Sequence, residues 1–174
     1  MDVLERILTT LAQEFSDLGQ VEHITRATLR LILAMFLGGL LGYEREVMGK
    51  AAGMRTHMLV CLGAAIFVMA LEQDGAEADA MSRVIQGIAA GVGFLGAGTI
   101  LKGQNISDVK GLTTAAGLWA SAAIGVAVGL GREATAVLST AIVLVVLHLM
   151  PLMVDPGSKI RPDDQADEKP DDRQ

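Results

Sequence analysis

Between Gly87 and Gly129 the chain is mostly apolar, yet its apolar residues are small. GIAAGVGFLGAGTILK is followed, after a polar turn, by GLTTAAGLWASAAIGVAVG. A water-soluble core of this length is normally filled with Leu, Ile and Phe. Small residues four apart instead let two helix backbones approach closely, which is how helices associate in lipid. Gly87 and Gly91 make one such pair, and Gly117, Ser121, Gly125 and Gly129 make a continuous ladder. The stretch reads as two membrane helices, joined by a turn that carries Lys102, Asn105, Asp108 and Lys110.

The remaining spans fall around this pair. The first runs from about Ile24 to Tyr43, with Arg26 and Arg30 near its start, placed to snorkel to headgroups. The second runs from about Thr56 to Leu71 and is short against the roughly 20 residues a crossing needs. An acidic segment with Glu72, Asp74, Glu77 and Asp79, an exposed loop or a short helical start, precedes the third span, about Val84 to Leu101. That span carries Gly91, Gly93, Gly96 and Gly98, and a helix so rich in glycine is easily unwound. The fourth and fifth spans run from about Leu112 to Leu130 and from Ala134 to Val154. The fold class is therefore all-α: a polytopic helical membrane protein with about five transmembrane helices. A four-span arrangement with one re-entrant segment is the alternative.

Two segments flank the spans. Residues 1–22 place Val3, Leu4, Ile7, Leu8, Leu11, Phe15 and Leu18 on one helical face, an amphipathic N-terminal helix. It is read first as packing on its own bundle, with the membrane interface or a partner as the alternative. Residues 23–154 form the transmembrane domain. Residues 155–174 are acidic, contain proline and are nearly empty of apolar side chains, the composition of a disordered cytoplasmic tail.

The formal charge of −6 belongs to the two ends, since residues 23–154 hold nine Lys/Arg against eight Asp/Glu. No basic surface suited to nucleic acid is present in the sequence. Arg45, Lys50, Arg55, Lys102 and Lys110 collect on one membrane side. The positive-inside rule then puts the N-terminus outside and the C-terminus in the cytoplasm. No cleavable signal pattern opens the chain.

Glu44, Arg45 and Glu46 stand at the end of the first span, and Arg55, Thr56 and His57 at the start of the second. Thr113 and Thr114 open the fourth. In the five-span topology these groups share one membrane face. Arg55 could pair with Glu44 or Glu46, since a charge at the edge of hydrocarbon needs a partner. Either carboxylate could contribute to a magnesium site, which uses one or two carboxylates and retained waters. No other cofactor is called for. The centres of the spans hold no Asp, Glu, Lys or Arg, which weakens a simple ion-pump reading. His148 reads as an interhelical histidine, Cys61 as a small packing residue, and Trp119 as a packing residue. No catalytic triad, phosphate loop or zinc spacing is found, so the chain reads as a non-enzyme.

Three segments resemble the ordered signatures of the MgtC/SapB membrane proteins. They are GGLLGYEREVMGKAAGMRTHMLVCLGAAIF (38–67), GIAAGVGFLGAGTILK (87–102) and VKGLTTAAGLWASAAIGVAVGLG (109–131). The resemblance implies a bacterial inner-membrane protein involved in adaptation to low magnesium and, in pathogens, in virulence. At least one member is linked to restraint of the ATP synthase. The resemblance thus implies a regulator of partner membrane proteins, with magnesium or another ion's transport as the alternative. Carried onto this chain, the signature positions include Glu44, Arg45, Gly53, Arg55, Thr56, Gly91, Gly93, Phe94, Gly96, Gly98, Gly111, Leu112, Thr113, Thr114 and Trp119. Glu44, Arg45, Arg55, Thr56, Thr113 and Thr114 are the expected polar cluster. Gly91, Gly93, Gly96, Gly98, Gly117, Gly125 and Gly129 are expected to pack closely or unwind. The ladder from Gly117 to Gly129 is the expected surface for a homo-oligomer, a dimer favoured, or for a partner. Longer members carry a folded cytoplasmic domain after the membrane part, where this chain has only its acidic tail.

Overall fold

A computed structural model describes residues 3–14, 21–73, 78–102 and 109–154. The expected disordered tail, Asn105 and Asp108, and Asp74 and Glu77 of the acidic loop lie outside the described residues. Among the described residues six helices follow one another: α1 (Val3–Glu14), α2 (Val21–Val47), α3 (Met54–Gln73), α4 (Ala78–Gly98), α5 (Leu112–Gly129) and α6 (Glu133–Val154). Between α4 and α5, two two-residue strands among the described residues, β1 (Leu101–Lys102) and β2 (Val109–Lys110), pair antiparallel. Helices α2, α3, α4 and α5 are long and apolar enough to cross a membrane, and α6 is apolar through Glu133–His148. Apart from this short strand pair, the described chain is a helical membrane protein.

Local sequence explains where these helices stop. At the end of α2 the Lys50 N–H bonds the Arg45 carbonyl at 3.0 Å and the Gly49 N–H bonds Glu46 at 3.0 Å. Gly49 takes a φ of 62°, which completes a Schellman stop. The same device ends α5, where Arg132 N–H bonds Ala127 at 2.9 Å around Gly131 at φ 68°. Gly111, at φ 98°, turns the chain into α5 so tightly that a Cβ there would strike the Thr99 carbonyl.

The packing follows from the glycines. On α2, a Cβ at Gly38 would lie 2.7 Å from the His57 carbonyl, and one at Gly42 2.5 Å from Met54 Cα. α2 and α3 therefore form a hairpin with touching backbones. α5 lies parallel to α3: Gly117 meets His57, Gly125 meets Cys61, and Gly129 meets Val68. α5 is the central helix, in contact with α2, α3, α4 and α6. One apolar cluster joins Ala34, Leu37 and Leu41 of α2 to Cys61, Ala65, Ile124 and Val128. A second joins Ala64, Val92, Leu118 and Ala122. Large apolar side chains such as Phe36, Leu59, Phe94 and Val145 point outward, as lipid rather than water requires.

Several expectations are corrected here. The Gly117–Gly129 ladder is not an outer surface: Gly117, Ser121, Gly125 and Gly129 are buried within the chain against α3. The glycines of α4 divide differently. Gly96 packs on Ala115, with a Cβ at 3.2 Å, whereas Gly87, Gly91, Gly93 and Gly98 have open space where a Cβ would stand. Glycine leaves no side chain to report which side is covered, so spacing alone did not separate the two cases. α4 stays one continuous helix rather than unwinding, and it begins at Ala78, so the end of the acidic segment is the helical start of the third span rather than loop. The residues of α1 do not pack on the bundle: Val3, Leu4, Ile7, Leu8 and Leu11 are at least half exposed. Trp119 and His148 are exposed rather than packed between helices. Arg30 does not snorkel, because Nη1 donates to the Gly129 carbonyl at 3.0 Å.

Candidate functional site

The α2–α3 turn gathers the charged residues at one end of the bundle. α2 carries Glu44, Arg45 and Glu46 into its last turn, and the Gly49 stop returns the chain through Ala52 and Gly53 into α3. Because α3 and α5 run parallel, the α5 start at Thr113 and Thr114 reaches the same end.

Arg45 is the unusual residue. It is 3% exposed, deep for a permanently charged group. Its Nε donates to Glu44 Oε2, and its Nη2 donates to Glu44 Oε1 at 2.5 Å. The fork is bidentate, the geometry in which guanidinium and carboxylate satisfy one another best. Arg45, not Arg55, is therefore the partner of Glu44. The Glu46 carboxylate is occupied differently: Oε2 accepts from the Met54 N–H at 2.8 Å, where α3 begins. An anionic acceptor at a helix N-terminus satisfies an orphan N–H and complements the helix dipole. Glu46 thus reaches back over Gly53, where a Cβ would lie 2.7 Å from its Oε2.

His57 completes the buried centre and was not among the favoured site residues. It is fully buried. A carbonyl only accepts, so Nδ1–H donates to Gly53 O at 3.0 Å. Nε2 points towards Gly117, where a Cβ would lie 3.3 Å away, and has no hydrogen-bond partner among the described residues. The Glu44–Arg45 pair is within Coulombic reach of the ring. Sequence held a signal for this: His57 is one turn before Cys61, which shares a face with Ala65 and Val68. A core reading of Cys61 carries His57 inside with it.

The expected cluster accordingly divides. Glu44, Arg45 and Thr114 are enclosed near His57's end of the α3–α5 seam, while Arg55, Thr56 and Thr113 are exposed. Adjacent residues on a helix point about 100° apart, so Thr113 and Thr114 were bound to separate. Among the described residues Arg55 has no ion pair. As carboxylate ligands for magnesium, Glu44 and Glu46 are already engaged, and no group of three His, Cys, Asp or Glu able to hold a metal occurs among the described residues. The centre can accept a hydrogen bond from a donor at His57 Nε2, beside a neutralised ion pair.

A bundle of long apolar helices, seamed by small residues and closed at one end by a buried ion pair, defines a polytopic membrane protein. The chain belongs to the MgtC family, whose model matches residues 31–155. It is similar to Protein SrpB of Synechococcus elongatus, 44% identical over 131 residues, covering 69% of this chain and 72% of the relative. It is 46% identical over 117 residues to Protein MgtC of Salmonella typhimurium, covering 67% of this chain and 48% of the relative. It is 40% identical over 129 residues to the Putative magnesium transporter YhiD of Escherichia coli, covering 70% and 59%. The match thus spans only about half the length of MgtC. No solved structure matches the chain.

Proposed function

We propose that this protein is a bacterial inner-membrane regulator that acts on partner membrane proteins during adaptation to low magnesium. The observation that carries this reading is the closed α3–α5 seam. Beyond the Glu44–Arg45–His57 centre, Gly125 meets the Cys61 backbone and Gly129 meets Val68, with a Cβ at 2.8 Å. An ion leaving the polar centre along that seam would have to force apart backbones already in contact. The continuous α4 supports the same reading, since it lacks the freed carbonyls an unwound helix would offer an ion. In this reading the charged end is cytoplasmic, the N-terminus is outside, and the partner is a membrane protein such as the ATP synthase. Self-association as a homo-oligomer then uses an outer face, since the ladder is occupied within the chain. A role in virulence follows only where the host cell supplies the low-magnesium condition.

The second reading, a magnesium transporter, is favoured by the name of the YhiD relative. Magnesium flux into proteoliposomes separates the two. The regulatory reading expects no flux above protein-free vesicles from folded, inserted protein, and capture of a membrane-protein partner in cells at low magnesium. Flux that Glu44→Ala and Arg45→Ala abolish would overturn it.

A further inference from the structure

A groove of about 760 Å³ runs between α3 and α4, separate from the Glu44–Arg45–His57 centre. Gly63, Gly87 and Gly91 are among its lining residues, and each has open space at the Cβ position. Leu59, Phe67 and Leu95 stand along it as exposed apolar rims. Its polar side chains are Arg55 and Thr56, together at the end where α3 begins. Arg55 is exposed there, with no ion pair among the described residues.

We infer that this groove holds one acyl chain of an anionic phospholipid, whose headgroup phosphate is bound by Arg55. Three observations select that occupant. The lining is apolar except at one mouth, so the ligand has a long apolar part and one polar end. The polar end is cationic, and Lys50 and Lys110 lie at the same end of the bundle, so the ligand's head is anionic. The third is length. From Arg55 to Phe67 the helix rises ~18 Å. One leaflet contributes about half of a roughly 30 Å hydrocarbon core. The groove therefore matches an acyl chain reaching the bilayer midplane, whereas a partner helix would use the full thickness. Guanidinium offers phosphate a bidentate fork, and the neighbouring Thr56 hydroxyl is a further donor at the same mouth.

Native mass spectrometry of the detergent-released full chain tests this with phosphatidylglycerol and phosphatidylethanolamine as probes. The expected result is one retained phosphatidylglycerol per chain, in preference to phosphatidylethanolamine. Arg55→Gln, on an exposed side chain, lowers its affinity on the order of tenfold, the equivalent of one charge-assisted contact. Gly91→Leu fills the groove and abolishes retention of either lipid without loss of helical signal. Equal retention of the two lipids, or retention unchanged in Arg55→Gln, overturns the headgroup assignment. Retention unchanged in Gly91→Leu overturns the groove. A dimer that Gly91→Leu dissociates, with no dependence on lipid, assigns the groove to a second copy and overturns the proposal.

Discussion

Arg30 donates from Nη1 to the backbone carbonyl of Gly129, 3.0 Å away and 99 residues further along the chain. Its Nε lies 3.7 Å from Glu133 Oε1 at the start of α6. One cation of α2 thus holds the end of α5 and faces the beginning of α6. The last carbonyls of a helix carry partial negative charge and lack internal partners, so a guanidinium satisfies both needs. Gly131 makes room for it, since a side chain there would meet the guanidinium as well as an unfavourable φ.

Arg30→Ala is expected to lower stability by about 2 kcal/mol, the range for a hydrogen bond to a charged group. Arg30→Lys should recover some of the loss. Thermal unfolding in detergent micelles measures both. Glu133→Gln should change little, because its carboxylate is half exposed and exposed pairs contribute weakly.

The two classes of glycine separate in one experiment. Gly125→Leu drives a side chain into the Cys61 carbonyl and must push α3 away from α5. Overpacking of this kind costs about 3 kcal/mol or more, so unfolding should shift strongly or insertion fail. Gly93→Leu enters open space and should leave unfolding within about 0.5 kcal/mol of the native chain. Equal effects would refute the assignment of Gly125 to a seam within the chain.

The buried pair predicts non-additivity. Glu44→Gln alone leaves the Arg45 guanidinium buried without a counter-charge, a loss of about 3 to 5 kcal/mol. Replacing both, as Glu44→Gln with Arg45→Met, removes that uncompensated charge and should be less harmful than Glu44→Gln alone. A double-mutant cycle from reversible unfolding in detergent reads the coupling directly.

Glu46→Ala should cost about 1 kcal/mol, through loss of the acceptor for the Met54 N–H. Glu46→Gln keeps an acceptor oxygen and should recover most of it. Amide exchange at Met54 localises the effect: faster exchange in the alanine variant alone identifies the cap.

The sequence by itself determined the helices and their class. Apolar runs of membrane length and charges concentrated between runs are local properties, written in neighbouring residues. The three signatures also sufficed for the family. The tertiary structure decided what each helix turns towards its neighbours. That choice put the Gly117–Gly129 ladder inside while leaving Gly91 open. It gave Glu44 to Arg45 rather than Arg55, and it buried His57 beside them. The physical reason is that a membrane helix, apolar all round, carries little information in its sequence about its own rotation. Lipid and protein are both acceptable to a Leu or a Gly, and only the fit of one backbone against another selects the face.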